Sequence, residues 1–261
     1  MKVYTYHIPI IQFPDQNKII NIWSTSWKAR GFEPIVLTDE DAEKHPQYDE
    51  LYKKIKQIWS GVNNREFNER GEKYSMSCYL RWLAYAALDN TDRFYLSDYD
   101  IINFNFKPGD EQSDKFHLMD HFCPGIVSAT ATQCEEFIQA FLKMSIDRQD
   151  ELKHLAKKNK MWWYNDQDFV EHNMDHLEEY GYDWKISPRG TYSVYPSIDT
   201  TPNDNLCLVH FDHGHTHECF KAVGKENFYL DRKHAKKQLC RLTLIEALLS
   251  GDTIRNTVEQ L

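Results

Sequence analysis

Short apolar segments of strand character alternate with amphipathic helical segments along this chain, and that alternation constrains its fold more than any other feature. Val3 to Ile11 is rich in β-branched and aromatic residues and predicts a strand. Asn17 to Arg30 carries Ile19, Ile20, Trp23 and Trp27 at helical spacing, and Gly31 is placed to end that helix. Pro34 to Leu37 predicts a second strand and closes a β-α-β unit. Helical periodicity returns in Leu51, Ile55, Ile58 and Trp59, and again from Ser75 through Met76, Leu80, Leu83, Ala84 and Ala87. Between these two helices, Gly61 to Lys73 is polar and aperiodic and predicts a surface loop. Further strands are expected at Arg93 to Leu96, Gly125 to Ala131 and Leu206 to Phe211, with helices at Glu135 to Met144, Asp166 to His172 and Arg232 to Leu249. The pattern predicts an α/β fold: a single Rossmann-like sheet, mixed but mostly parallel, flanked by helices. In such sheets ligands bind beyond the carboxyl ends of the strands.

Composition narrows the function classes. With 261 residues the chain fits one domain, and at 41% hydrophobic residues it can bury a core. The net charge of -9 argues against a general nucleic-acid binder, which needs a broad basic field. The six cysteines are scattered and unclustered, and read as reduced core thiols. No apolar run approaches the ~18 residues that span a bilayer, and Met1 to Tyr6 lacks the apolar stretch of a signal peptide. A cytoplasmic protein is therefore expected.

Three polar clusters sit where strands end. In the first, the apolar Phe94-Tyr95-Leu96 leads through Ser97 into Asp98-Tyr99-Asp100, and Ile101-Ile102 follows at once. On an extended backbone residues i and i+2 share a side, so Asp98 and Asp100 are expected to converge on one hard cation. Such an ion suits the charge that develops on a departing diphosphate. A solvated Asp-x-Asp turn is the plain alternative. The second cluster is Asn165-Asp166-Gln167-Asp168, directly after Trp162-Trp163-Tyr164. A helix cap needs one such residue, whereas four polar groups in a row can serve several sugar hydroxyls. The third is His210 after Leu208-Val209, followed by Asp212, His213, His215 and His217. His210 is the candidate metal ligand. The remaining histidines resemble, loosely, the H-x-H-x-D-H of metallo-hydrolases, or form a histidine-rich surface loop.

Taken together, these residues resemble a GT-A-type glycosyltransferase, most nearly the retaining glycosyltransferase family 8 and its relatives. Tyr79-Leu80-Arg81-Trp82 and Asp92 to Ile102 resemble that family's helix, strand and D-x-D signature. Asn165-Asp166-Gln167-Asp168 resembles its N-D-Q-D signature, and Leu208 to Phe211 its late strand. The likeness spans about residues 75 to 215. It departs after His210, where the family's K-P-W ending is absent and Asp212 to His217 stands instead, and at Ser97.

The resemblance implies a set of roles. Asp98, Asp100 and His210 would hold Mn2+ (or Mg2+), and Arg81 would meet the donor sugar or its diphosphate. Tyr6, His7 and Ile8, with Thr38 and Asp39, would meet the base and ribose of a nucleotide-sugar, a UDP-sugar. Asp166, Gln167 and Asp168 would hold the donor sugar, and transfer to a glycan, glycolipid or protein hydroxyl would retain configuration. The alternatives are an inverting enzyme with Asp166 or Asp168 as base, a metal-dependent phosphohydrolase or nucleotidyltransferase, and a non-catalytic carbohydrate-binding protein. The implied organisation is one GT-A-like catalytic domain over 1–261. Within it, 1–130 forms a nucleotide-sugar half, 131–220 an acceptor and catalytic half, and 221–261 a helical extension. The tyrosines Tyr192 and Tyr195, in the polar stretch from Ser187 to Asn205, are candidates to stack on a sugar ring or to plug the surface. Basic residues at 221–241 beside Leu239, Leu242, Leu244 and Leu248 suit either a membrane surface or, as the favoured reading, a solvated helix face.

Overall fold

Val3 and Tyr4 point to opposite faces of the first strand, β1 (Lys2–Tyr6), and both are buried, so this strand must be covered on both sides. The computed structural model meets that demand. It describes residues 1–9, 16–62, 69–89, 92–111, 113–121, 123–158, 164–173, 176–203, 206–226 and 234–261. β1 pairs in parallel with β2 (Glu33–Leu37) and with β3 (Phe94–Ser97). Between β1 and β2 runs α1 (Gln16–Lys28), which buries Ile19, Trp23 and Trp27. Gly31, at φ +88°, makes the left-handed turn that ends this helix's run.

The sheet continues from β3 to β6 (Cys123–Ala129), then to β5 (His117–Asp120) and β7 (Lys185–Ile186), in the order β2-β1-β3-β6-β5-β7. β6 runs antiparallel to both β3 and β5, whereas β7 runs parallel to β5. Only β6 is reversed, so the sheet is mixed and mostly parallel, as the alternation predicted. A second, three-stranded sheet has the order β4-β9-β8, from β4 (Ile101–Asn103), β9 (Leu208–His210) and β8 (Ser193–Val194).

Helices cover the main sheet. The short α2 (Asp39–Ala42) follows β2, and α3 (Tyr48–Val62) and α4 (Glu69–Ala86) precede β3. α5 (Ala131–Asp147), α6 (Gln149–Lys158) and α7 (Asp166–Asn173) follow β6. After β9 come α8 (His213–Ala222), α9 (His234–Leu249) and α10 (Ile254–Gln260). The alternate residues of β3 divide the interior in two. Phe94 and Leu96 join a core built on Trp82, Phe137, Phe141 and Phe169, and Tyr95 joins one built on Trp23, Trp27, Phe106 and Ile245.

Several sequence expectations are corrected here. Gly61 and Val62 finish α3, and α4 begins at Glu69 rather than Ser75, so little of the expected loop remains among the described residues. The polar residues at 69–73 carry no apolar period in the sequence, which is why the segment read as loop. β1 ends at Tyr6, earlier than expected; residues 10 and 11 lie outside the described residues. The two-, three- and four-residue strands β4, β5, β7 and β8 are too short to show a period. His213 to His217 opens helix α8 instead of forming a loop, capped by Asp212, whose carboxylate accepts from the His215 backbone N–H.

Candidate functional site

β3 stops at Ser97 because the chain there turns sharply: the Ile101 N–H donates to the Asp98 carbonyl at 3.0 Å. Asp98 and Asp100 therefore sit in a turn, and their convergence comes from its curvature rather than from the extended backbone the sequence suggested. Tyr99 points to the first strand's end, where its hydroxyl accepts from Gln16 Nε2 at 3.0 Å and its ring meets His7 edge-on. Ser97 accepts from the Trp23 indole at 3.2 Å and donates to the Asp98 carbonyl at 3.0 Å, which ties the turn to α1.

The second sheet delivers the third residue. β9 pairs antiparallel with β4, setting His210 opposite Ile101, and the Phe211 N–H donates to the Asp100 carbonyl at 2.9 Å. One carboxylate oxygen each from Asp98 and Asp100 and a ring nitrogen of His210 then lie within 4.8 Å of one another. His210 is 5% exposed. Its Nε2 stands 3.6 Å from Asp100 Oδ1, and its Nδ1 stands 3.7 Å from Asp120 Oδ2. Both separations are too long for hydrogen bonds. Nδ1 of His210 and Oδ1 of Asp120 are buried without a hydrogen-bond partner.

Gly125 of β6 makes room for this convergence. The Asp98 N–H donates to its carbonyl at 2.7 Å. A Cβ on Gly125 would stand 3.2 Å from both Asp98 Oδ2 and His210 Cε1, and 3.3 Å from Cys123 Sγ. Only a residue without a side chain leaves that space open.

Two arginines face the carboxylates. Arg81 of α4 reaches Asp98 at 2.7 Å through Nη1 and Asp166 at 2.7 Å through Nε. The Trp82 indole also donates to Asp166, at 2.8 Å, and the Asp166 side chain is only 3% exposed. From the far end of the chain, Arg241 of α9 places Nη1 3.1 Å from Asp100 Oδ2 and is itself 3% exposed. Four carboxylates (Asp98, Asp100, Asp120 and Asp166) thus face two guanidiniums, leaving two negative charges. One divalent cation with neutral His210 would balance them. Burial pushes the Asp98 carboxyl up to about 6, against the pull of Arg81. Burial lowers the His210 imidazole, but the facing Asp120, Cys123 and Asp100 outweigh it and hold the ring well above its ordinary value. For Asp98 burial is the larger cause, whereas for His210 the surrounding acidic groups prevail over burial.

Of the second sequence cluster, the structure brings only Asp166 to this centre, through Arg81. Asn165 and Asp168 cap α7: Asn165 Oδ1 accepts from the Gln167 and Asp168 N–H groups, and Asp168 accepts from the Asn165 N–H at 3.0 Å. Gln167 is exposed. Burial pushes the Asp168 carboxyl up to about 7. Trp162 and Trp163 lie outside the described residues.

At the end of β1, Tyr6 donates to Asp39 through its hydroxyl, and burial with that contact pushes the phenol far up. Thr38 caps α2, with its N–H donating to Asp41 at 2.9 Å. His7 is buried beside Gln16, and Ile8 lines an open cleft of about 370 Å³ with Asp39, Tyr48, Tyr52, Lys56 and Lys73. Tyr6, His7, Ile8, Thr38 and Asp39 therefore gather around one strand end, as expected of neighbours in the β1–α2 region.

The remaining histidines do not form a metal cluster among the described residues. His215 bonds Asp212 at 2.8 Å, and His217 faces Glu226 at 3.5 Å. Tyr195 donates to Asp120 Oδ2 at 2.8 Å and its ring lies over those of His210 and His215, with Arg189 4.6 Å above it. Tyr192 packs against Phe106 and His117 in the core. Both tyrosines are thus engaged within the protein rather than free to stack on a sugar. In α9, Leu242, Leu244 and Leu248 are buried and only Leu239 of the four is exposed, so these leucines do not build a membrane-facing stripe. Among the described residues no helix is long and apolar enough to cross a membrane.

Three contributors escaped the sequence reading: Arg241, Gly125 and Asp120. Arg241 sits among surface-type lysines with nothing to mark it, although a lone arginine between Cys240 and Leu242 in an apolar helix was a signal of sorts.

No protein-family model matches the sequence, and no curated protein matches it. Among solved structures, the chain is similar to a glycosyltransferase involved in the glycosylation of the major capsid of PBCV-1, at 10% identity and a TM-score of 0.42, over 80% of this chain and 91% of that one. It is similar also to the galactosyltransferase LgtC, solved with donor and acceptor sugar analogues, at 10% identity and a TM-score of 0.44, over 80% of this chain and 86% of that one. At these values neither likeness bears on the site, whose chemistry is read from its own geometry.

Proposed function

We propose that this chain is a divalent-metal-dependent glycosyltransferase of GT-A type, moving a sugar from a nucleotide-sugar to a hydroxyl acceptor. The observation that carries the reading is the meeting of Asp98 and Asp100, from one turn, with His210, from a distant strand, beside Arg81 and Arg241. Two carboxylates and one imidazole form a mixed oxygen and nitrogen set that suits Mn2+ better than Mg2+. When bound, the ion supplies charge neutralisation to the departing nucleoside diphosphate. With an ion held by Asp98 and Asp100, Arg81 and Arg241 would be placed to offer the same diphosphate their guanidinium donors. Asp166 serves chiefly to hold Arg81 in place. Tyr6, His7, Ile8, Thr38 and Asp39, beside the cleft at the β1 end, are the candidate contacts for base and ribose, with UDP as the nucleotide the sequence resemblance favours.

Retention follows most simply, with the acceptor proton leaving on the donor's own phosphate oxygen and no protein base required. The second reading is inversion with Asp168 as base: burial pushes its carboxyl up to about 7, although the side chain caps α7 and does not join the metal centre. Asp166, locked by Arg81 and Trp82, is the poorer base. The acceptor is a glycan, glycolipid or protein hydroxyl, and the whole of 1–261 is one catalytic domain. None of the six cysteines is in a disulfide, in keeping with a cytoplasmic enzyme.

The test is nucleotide release from a panel of UDP-, GDP- and CMP-sugars with Mn2+ or with EDTA. Mn2+-dependent release that disappears in Asp98→Asn/Asp100→Asn, with the fold intact by circular dichroism, is expected. Release of inorganic phosphate instead would move the reading to a phosphohydrolase. Sugar binding indifferent to EDTA, without release, would make the chain a binding module.

A further inference from the structure

The His210 ring has a second side. Its Nδ1 faces away from the Asp98–Asp100 turn, toward Asp120 and Cys123, and one ligand-type atom from each of Asp120, Cys123 and His210 lies within 4.8 Å of the others. This group is built by the hairpin between β5 and β6. Asp120 pairs with Cys123 across the two antiparallel strands, which sets both on one side of the sheet, and His121 beside Asp120 takes the left-handed conformation at φ +47°. Asp120 is 1% exposed and His210 5%.

A simpler role for Asp120 would be to orient His210 by a hydrogen bond to Nδ1. The distance speaks against it. At 3.7 Å the Asp120 oxygen stands well beyond hydrogen-bond reach of Nδ1, although Asp120 Oδ2 makes an ordinary 2.8 Å bond with the Tyr195 hydroxyl. Nδ1 and Asp120 Oδ1 are left buried and unsatisfied, which is costly unless something joins them. Bonds of ~2.0–2.3 Å at tetrahedral angles put nitrogen, oxygen and sulfur ligands roughly 3.3–3.6 Å apart. The 3.7 Å between Nδ1 and Asp120 Oδ2 is nearer to that spacing than to a hydrogen bond, so it suits atoms that share an ion better than atoms that share a proton.

We propose that Nδ1 of His210, a carboxylate oxygen of Asp120 and Sγ of Cys123 form a second metal site, selective for a thiophilic ion such as Zn2+. A thiolate ligand selects for zinc over manganese or magnesium, in contrast to the oxygen-rich set on the other side of the ring. Three protein ligands leave the fourth position to water. Binding releases the Cys123 thiol proton and the Nδ1 proton of His210. Because the two sites share one imidazole, filling both at once would strip both ring protons, so the zinc site competes with the Mn2+ site. The inference rests on this geometry and stands apart from the transferase reading.

The experiment is titration of the metal-free protein with Co2+, as a spectroscopic stand-in for Zn2+, followed by displacement with Zn2+. One equivalent is expected to give a thiolate-to-cobalt charge-transfer band that persists in Asp98→Asn/Asp100→Asn and is lost in Cys123→Ser. Zn2+ affinity should fall by about 100-fold or more in Cys123→Ser and in Asp120→Asn, with circular dichroism unchanged. Cys123 is partly exposed, so its replacement by serine is not expected to disturb folding. No band in the wild type, or a band that survives in Cys123→Ser, overturns the proposal. Neither outcome depends on turnover, so failure here is separable from failure of the transferase assay.

Discussion

Replacing Gly125 by alanine adds one methyl group at the point where the metal site is tightest. The backbone permits it, since Gly125 does not adopt a left-handed conformation. The new Cβ would lie 3.2 Å from Asp98 Oδ2 and His210 Cε1 and 3.3 Å from Cys123 Sγ, against ordinary contacts of about 3.5–4.0 Å. Each neighbour must therefore retreat by roughly 0.3 Å or more. Overpacking of this kind costs about 1–3 kcal/mol. The loss of a glycine's freedom in the unfolded chain returns about 0.4–1 kcal/mol. The net destabilisation should then be about 1–2 kcal/mol, small enough for the protein to remain folded. Metal binding is the sensitive readout, because two candidate ligands move apart together: Mn2+ affinity by calorimetry should fall by about 10–100-fold. Gly214→Ala is the control, since its Cβ would meet only Asp212 Oδ1 at 3.7 Å. A Gly125→Ala protein that binds Mn2+ as the wild type does would refute the site as drawn.

Three further outcomes follow from the same geometry. Arg81→Ala leaves Asp166 buried with the Trp82 indole and the Gln167 N–H but no cation, and should cost about 3–5 kcal/mol in urea unfolding; Arg81→Lys should recover part of that stability but not the double contact. Arg241→Ala exposes Asp100 to an unbalanced field, so the variant should be less stable without metal and gain more in Tm from Mn2+ than the wild type does; an equal gain would argue that Arg241 and the ion do not share Asp100. For Asp168 the folded carboxyl titrates near 7 and the unfolded one near 3.8, so the folded state binds more protons between those values. Stability should therefore fall as pH rises from about 4 to 7. Asp168→Asn, which keeps an acceptor for the Asn165 N–H, should lose that slope and exceed the wild type above pH 7 by no more than about 4 kcal/mol. Parallel pH profiles for the two proteins in thermal unfolding would count against the raised value.

The sequence by itself determined the alternation of strands and helices, and with it a mostly parallel sheet whose strand ends carry the polar clusters. Trp23, Trp27, Leu80 and Leu83 are buried where their spacing predicted, because a period of 3.6 or 2 is a local property of the chain. Asp98, Asp100 and His210 were legible for the same reason, each being a polar residue set abruptly against an apolar strand. What tertiary structure alone decided is which groups meet. The turn at Asp98 to Ile101, the pairing of β4 with β9 and the reversal of β6 bring together residues more than 100 positions apart in the chain. Arg241 reaches Asp100 from the middle of α9, Gly125 leaves the centre free of a Cβ, and Asp168 turns back to cap its own helix. None of these carries a local signal, because a charge or a missing Cβ acquires its meaning only from the neighbours that packing supplies.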